Sequence, residues 1–342
     1  MPLSRLEKLR QRRLDPQFKI AALNEAYDRL PREGDSVRYA IGAMQPIDQA
    51  YTQRTIDERT RVENQLSTGF AAAALDVTFD YQGSVTNGTH IRAYSDLDLL
   101  TVDSRFFVVQ APNRPTSPYQ GDSTDDLRQI RSTTARILRS AFPAANVDES
   151  GSKSVSISGG SLRRKVDLIA SAWWHTVEYM NEPEKHWLGI QILDNENRTK
   201  IPNKPFLHNK RIEDRDLKTN GGLRKLIRLL KTVKYDNEPE LKITSYDIAG
   251  IVYNMPDDWL LAQRGQDLRL VRNCKTYLHY LLDNPQLRNL INVPNDMRKV
   301  FAEDGASESD LRSLTIAFDA LVADIDRELR TTSRTFEASV VY

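Results

Sequence analysis

Asp96 and Asp98 flank one leucine at the head of an apolar run, Asp-Leu-Asp-Leu-Leu-Thr-Val. Successive side chains of a strand point to opposite faces, so both carboxylates project on one side. Carboxylates that close repel each other unless a cation lies between them. Magnesium, a hard ion that takes one or two carboxylates together with substrate phosphates, is the simplest neutraliser. Upstream, the strand-like segment Asp-Val-Thr-Phe-Asp-Tyr-Gln carries Val77, Phe79 and Tyr81 on one face and ends at Gly83-Ser84. That turn can offer backbone N–H groups and a hydroxyl to phosphates. Metal and phosphate sites so near in sequence point to phosphoryl or nucleotidyl transfer.

A third aspartate, Asp167, sits between Val166 and Leu168 in a second predicted strand. Three carboxylates can bind two metal ions, which clamp the attacking and leaving oxygens of an in-line displacement. Asp96 and Asp98 would hold the metal that carries a nucleoside triphosphate. Asp167 would complete the second metal site and orient or deprotonate the attacking sugar hydroxyl. Ser84 and the Gly83 backbone would bind terminal phosphates. The competing reading, a solvated or capping acidic pair, fits poorly at the start of an apolar strand.

The 342 residues suffice for two lobes or one large domain. A formal net charge of +1 gives no global field to attract nucleic acid. The single cysteine, Cys274, allows no internal disulfide and no cysteine-built zinc cluster, and fits a reducing cytoplasm. No apolar run approaches membrane-spanning length. The basic start, residues 1–16, lacks an apolar signal core and reads as a short amphipathic helix with Leu3, Leu6 and Leu9 inward.

The predicted organisation is α/β in the α+β sense. Residues 1–215 form a catalytic lobe with N-terminal helices, 216–330 a helical lobe, and 331–342 a flexible tail, with nucleotides bound between the lobes. Residues 3–75 read as helical, with Pro46 a kink in a helix that starts at Asp35-Ser36. Ser123 or Thr124 caps a helix to about Ser140. Lys153–Ser158, the Gly159-Gly160 turn and Arg163–Ser171 form a β-hairpin. Residues 222–234 place Leu223, Leu226, Ile227, Leu230 and Val233 on one helical stripe, and Arg224, Arg228, Lys231 and Lys234 on another. The last helix opens with a capping-box-like Ser-Glu-Ser-Asp.

Gln-Gly-Ser-Val-Thr-Asn-Gly-Thr followed by Ser-Asp-Leu-Asp resembles the signature of the DNA polymerase β-like nucleotidyltransferases. Gly88-Thr89, Ser95 and Asp167 narrow the resemblance to the oligoadenylate synthase and cyclic GMP-AMP synthase branch, and to its bacterial members that make cyclic oligonucleotide signals in anti-phage defence. The resemblance implies that Lys231, with Lys234 as alternate, touches the triphosphate, that Ser245 bonds a phosphate and that Tyr246 stacks on a base. It implies magnesium (two ions, manganese as a substitute) and nucleoside triphosphate substrates with ATP among them. It also implies a cyclic di- or trinucleotide product read by an effector protein that the enzyme itself does not contact. No zinc-binding insertion or long basic run supports a nucleic-acid activator, and no oligomer is required.

From the residues alone, a basic helical stripe is more often a solvated face, and core packing of Tyr246 is nearly as good a reading as stacking. Arg92 and Arg163-Arg164-Lys165 either bind phosphates or balance charge. Trp173-Trp174 read as core or interface aromatics, and Cys274 as buried and inert. Two rival functions stay open. One is a nucleotidyltransferase acting on a protein, small molecule or RNA end; the other is a non-catalytic nucleotide-binding module.

Overall fold

The computed structural model describes residues 3–13, 33–91, 97–263 and 265–339. Its contacts divide the chain into two compact units: Asp48–Gly88 with Tyr94–Lys210, and Met1–Ile47 with Thr89–Ala93 and Arg211–Tyr342.

The first unit is built on a mixed sheet. Its strands are β1 (Val77–Gln82), β2 (Leu97–Val109), β3 (Asn146–Asp148), β4 (Val155–Ser158), β5 (Val166–His175), β6 (Gly189–Asp194) and β7 (Thr199–Asn203). The order is β1-β2-β5-β4-β3, and β6 pairs with the far half of β5 and with β7. β2 and β5 run parallel, while every other named pair is antiparallel. Two helices, α3 (Gln49–Ala72) and α4 (Ser123–Ala141), supply Val62, Leu66, Phe70, Leu127 and Ile130 to a core shared with Leu97, Leu99, Val166 and Leu168. Val77, Phe79 and Tyr81 pack on that core, as their alternation predicts. The expected hairpin forms, with β4 antiparallel to β5 across Gly159-Gly160, both at positive φ.

The second unit is helical. It holds α1 (Arg5–Arg13), α2 (Asp35–Met44), α7 (Gly222–Asp236), α8 (Ser245–Tyr253), α9 (Asp257–Leu260), α10 (Asp267–Asp283), α11 (Pro285–Arg288) and α12 (Glu308–Ser339); a short α5 (Val177–Asn181) belongs to the sheet unit, and α6 (Pro205–Lys218) is divided at Arg211. Leu6, Leu9, Val37, Tyr39 and Met44 share one core with Leu226, Leu230, Leu278 and Phe318. The N-terminal helices α1 and α2 therefore group with the C-terminal helices, where the sequence reading put them with the sheet.

Four local expectations need correction. Leu3 is 44% exposed, so only Leu6 and Leu9 of its trio turn inward. Pro46 separates two helices instead of kinking one, because α2 ends at Met44 and α3 starts under an Asp48 cap that accepts from the Ala50 N–H. Asp122, one residue before the expected Ser123, caps α4 by accepting from the N–H groups of Thr124 and Asp125. Helix α12 continues to Ser339, through most of the stretch read as a flexible tail. Its start is the expected capping box: Ser307 Oγ accepts from Asp310 N–H at 3.1 Å, and the Asp310 carboxylate from Ser307 N–H at 2.9 Å. Among the described residues, no helix is long and apolar enough to cross a membrane.

Candidate active site

Asp98 and Asp167 are register partners on the parallel strands β2 and β5. Cross-strand partners in adjacent strands stand side by side, about 5 Å apart at the backbone, with side chains on the same face. On the other side of β2, Asp98 pairs with Gln82, the residue before the Gly83 turn. Sheet pairing thus gathers Gly83, Asp98 and Asp167, which the chain separates widely. Leu97, Leu99, Val166 and Leu168, alternating with the aspartates, are buried on the opposite face and fix the register.

Gly83 has φ +90, and a Cβ there would lie 2.0 Å from Oδ2 of Asp98. The turn therefore needs glycine twice over, for the left-handed backbone and for the space the carboxylate fills. Ser84 follows directly in the turn that runs to Gly88.

Asp167 is not left facing water alone. Lys165 donates to its Oδ2 at 2.9 Å, and the Asp167 side chain is 15% exposed. Arg164, adjacent in sequence, is buried and donates through Nε to Thr55 Oγ1 at 3.2 Å, which ties β5 to α3. Arg163 is exposed. The Arg-Arg-Lys run thus splits into three different environments, and one of its members reaches the acidic pair. Asp96, with Arg92, lies outside the described residues. Among the described residues no group of three or more His, Cys, Asp and Glu is assembled to hold a metal. The two described carboxylates are hard oxygen donors on neighbouring strands beside a tight turn. That donor chemistry fits an oxygen-ligated divalent cation.

The remaining candidates lie in the helical unit. Lys231 is 5% exposed and donates to the carbonyl of Thr89 at 2.8 Å. Arg228 is equally buried and donates through Nε to the Met44 carbonyl at 2.8 Å. Lys234 is buried, ion-paired with Glu240, and 3.9 Å from the centroid of the Tyr235 ring. The basic stripe of α7 is thus no solvated face. Buried cations must be met by acceptors, and these come from the end of α2, from the chain after the Gly83 turn and from the loop after α7.

Ser245 is the first residue of α8, whose cap is the Thr244 hydroxyl accepting from Asp247 N–H. Tyr246 packs partly against the helical core and donates its hydroxyl to Asn295 Oδ1 at 2.5 Å. Burial is the main reason its phenol is pushed up to about 12. Arg298 lies 5.3 Å from the centre of its ring and pairs with the fully buried Asp247 at 2.7 Å. Sequence reading missed Asn295 and Arg298, which lie some fifty residues further along and carry no local motif. Trp174 is buried against Gly189, and Cys274 is buried with its thiol pushed up by burial, both as expected.

The mixed sheet, its paired acidic strands and the glycine turn define a nucleotidyltransferase lobe with an attached helical lobe. Residues 210–322 match the family described as the cGAS/DncV-like nucleotidyltransferase C-terminal helical domain. The chain is 36% identical over 314 residues to the cyclic dinucleotide synthase CdnE of Yersinia aleksiciae, covering 91% of this chain and 82% of that protein. It is 32% identical over 248 residues to a c-di-GMP synthase of Lachnospiraceae bacterium (strain RUG226), covering 65% of this chain and 70% of that one. A solved STING-associated CdnE c-di-GMP synthase from Capnocytophaga granulosa shares the fold, with a TM-score of 0.77 at 24% identity over 94% of this chain and 98% of that chain. The chain belongs to the cGAS/DncV-like nucleotidyltransferases, the bacterial cyclic oligonucleotide synthases.

Proposed function

We propose that this enzyme joins nucleoside triphosphates, ATP among them, into a cyclic di- or trinucleotide with release of pyrophosphate, and that the product signals in anti-phage defence. The observation that carries the catalytic part is the register pairing of Asp98 with Asp167 beside a glycine that leaves room for the Asp98 carboxylate. Asp96, Asp98 and Asp167 are the residues that would hold two divalent ions. Oxygen ligands and phosphate co-ligands favour magnesium, with manganese a workable substitute. Such ions, when bound, would neutralise the triphosphate and lower the charge barrier to attack by a ribose hydroxyl.

The protein's own contribution is placement and charge. Gly83 and Ser84 offer the turn's N–H groups and a hydroxyl to the terminal phosphates. Asp167 accepts a hydrogen bond from the attacking hydroxyl and orients it. Lys231 supplies a fixed ammonium for the triphosphate, with Lys234, ion-paired to Glu240, as the alternate. Ser245, at the start of α8, donates to a phosphate, and Tyr246, held by Asn295, presents a ring face to a base. Positioning and electrostatic stabilisation of this kind supply most of the rate in such transfers. The work is that of a cytoplasmic enzyme whose effector protein meets only the product. Neither a nucleic-acid activator nor a second copy of the chain enters the scheme.

Incubation with radiolabelled ribonucleoside triphosphates and magnesium is the test. A small product resistant to phosphatase supports cyclisation. Label transferred to protein or to an RNA end instead would assign the site to another nucleotidyl acceptor.

A further inference from the structure

One basic side chain on the acidic site has no part in the scheme above. The carbonyl of Lys165, the residue before β5, accepts from the N–H of Leu97 at 3.2 Å, which pins its backbone to the start of β2. Side chains two apart in a strand share a face, so its ammonium projects on the Asp167 side. There Nζ lies 2.9 Å from Asp167 Oδ2, and the lysine side chain is 41% exposed. A fixed root, a flexible stem and a half-open head allow this cation to leave the carboxylate without disturbing the sheet.

We propose that Lys165 is the resident counter-ion of Asp167, which a divalent cation must displace before it can bind. This rests on the reading of Asp167 as a metal ligand. The oxygen that accepts from the ammonium is one the metal would use, and two cations cannot share it without repulsion. A bare metal ion that displaces Lys165 takes Oδ2 from the ammonium and brings it no new acceptor. A metal ion that arrives with a nucleoside triphosphate brings phosphate oxygens within the same site, and these can receive the ammonium. Lys165 therefore weakens uptake of bare metal and biases the site toward the metal–nucleotide complex. That is a selection for occupancy with substrate, set by one side chain.

The test is Mn2+ binding to the intact protein without nucleotide, followed by the electron paramagnetic resonance of free Mn2+. Lys165→Met and Lys165→Gln should each bind Mn2+ roughly tenfold tighter than wild type, the size expected for one charged hydrogen bond removed from competition. Lys165→Arg, which keeps the charge, should stay within about threefold of wild type. Asp167→Asn should bind at least roughly tenfold more weakly. If both neutral variants bind Mn2+ no tighter than wild type while Asp167→Asn binds weakly, the counter-ion role is wrong and the ligand assignment stands. If Asp167→Asn binds as well as wild type, the ligand assignment fails and this proposal fails with it.

Discussion

Replacing Gly83 by alanine separates backbone strain from damage to the acidic site. At φ +90 an L side chain costs about 1–2 kcal/mol relative to glycine. The added Cβ would lie 2.0 Å from Oδ2 and 3.1 Å from Cγ of Asp98. Non-bonded carbon contacts settle at about 3.5 Å, so the carboxylate must retreat by more than about 1 Å. A displacement of that size in a reacting constellation costs roughly a hundredfold in rate. Gly159 is the matched control. It too has a left-handed φ, +75, but nothing lies within 4 Å of an added Cβ. Both variants should lose a few degrees of melting temperature, because ~1 kcal/mol moves a domain of this size by about 2–4 °C. Pyrophosphate release at saturating metal and nucleotide should fall about a hundredfold in Gly83→Ala and by less than about twofold in Gly159→Ala. The reasoning is refuted if Gly83→Ala keeps more than about a third of wild-type kcat, or if the two alanines cost the same activity.

Other expectations follow from the helical unit. Lys231→Met removes a buried ammonium that bonds the Thr89 carbonyl, and the KM for nucleoside triphosphate should rise at least about tenfold; an unchanged KM would remove Lys231 from the triphosphate site. Tyr246→Ala should raise KM by the worth of one stacked base, ~1–3 kcal/mol or roughly 5- to 150-fold, while Tyr246→Phe should stay within about threefold; equal effects in the two variants would reject stacking. Asp247→Ala leaves Arg298 without its buried partner and should lower the unfolding free energy by about 3–5 kcal/mol in chemical denaturation. Because burial raises the Tyr246 phenol to about 12, its contribution to stability is fully present below about pH 10, where an unfolded tyrosine is still neutral. It is lost as pH rises from about 10 to 12, by an amount on the order of 2 kcal/mol. Denaturant midpoints should therefore fall more steeply with pH in wild type than in Tyr246→Phe across that window, and parallel curves would contradict the assignment.

The acidic pair on the sheet was legible because strand alternation is a two-residue code. Val166 and Leu168 mark the buried face, so Asp167 must be on the other, and the same logic places Asp98 beside Leu97 and Leu99. The glycine turn after the first strand was legible as a turn. That its second duty is to clear space for Asp98 needs coordinates. The environment of α7 was not legible. Helical spacing shows that Arg228, Lys231 and Lys234 share a stripe, but not that Met44, Thr89 and Glu240 wait on that side. Those acceptors lie at sequence separations no local pattern encodes. The same holds for Asn295 and Arg298 around Tyr246, and for the packing of α1 and α2 with the C-terminal helices. Where α12 continues past Arg330, the polar Thr-Thr-Ser-Arg-Thr stretch breaks the apolar periodicity without breaking the helix, since it holds neither glycine nor proline.

The central claim is that Asp98 and Asp167 jointly ligate divalent metal beside an incoming triphosphate. Anomalous diffraction from crystals soaked with Mn2+ and a non-hydrolysable nucleoside triphosphate measures it directly. The account predicts metal peaks within about 2.0–2.6 Å of carboxylate oxygens of both aspartates, with Asp96 as a further ligand and Lys165 moved off Oδ2. Peaks that leave Asp167 in its ion pair with Lys165 and touch no oxygen of it would contradict the account.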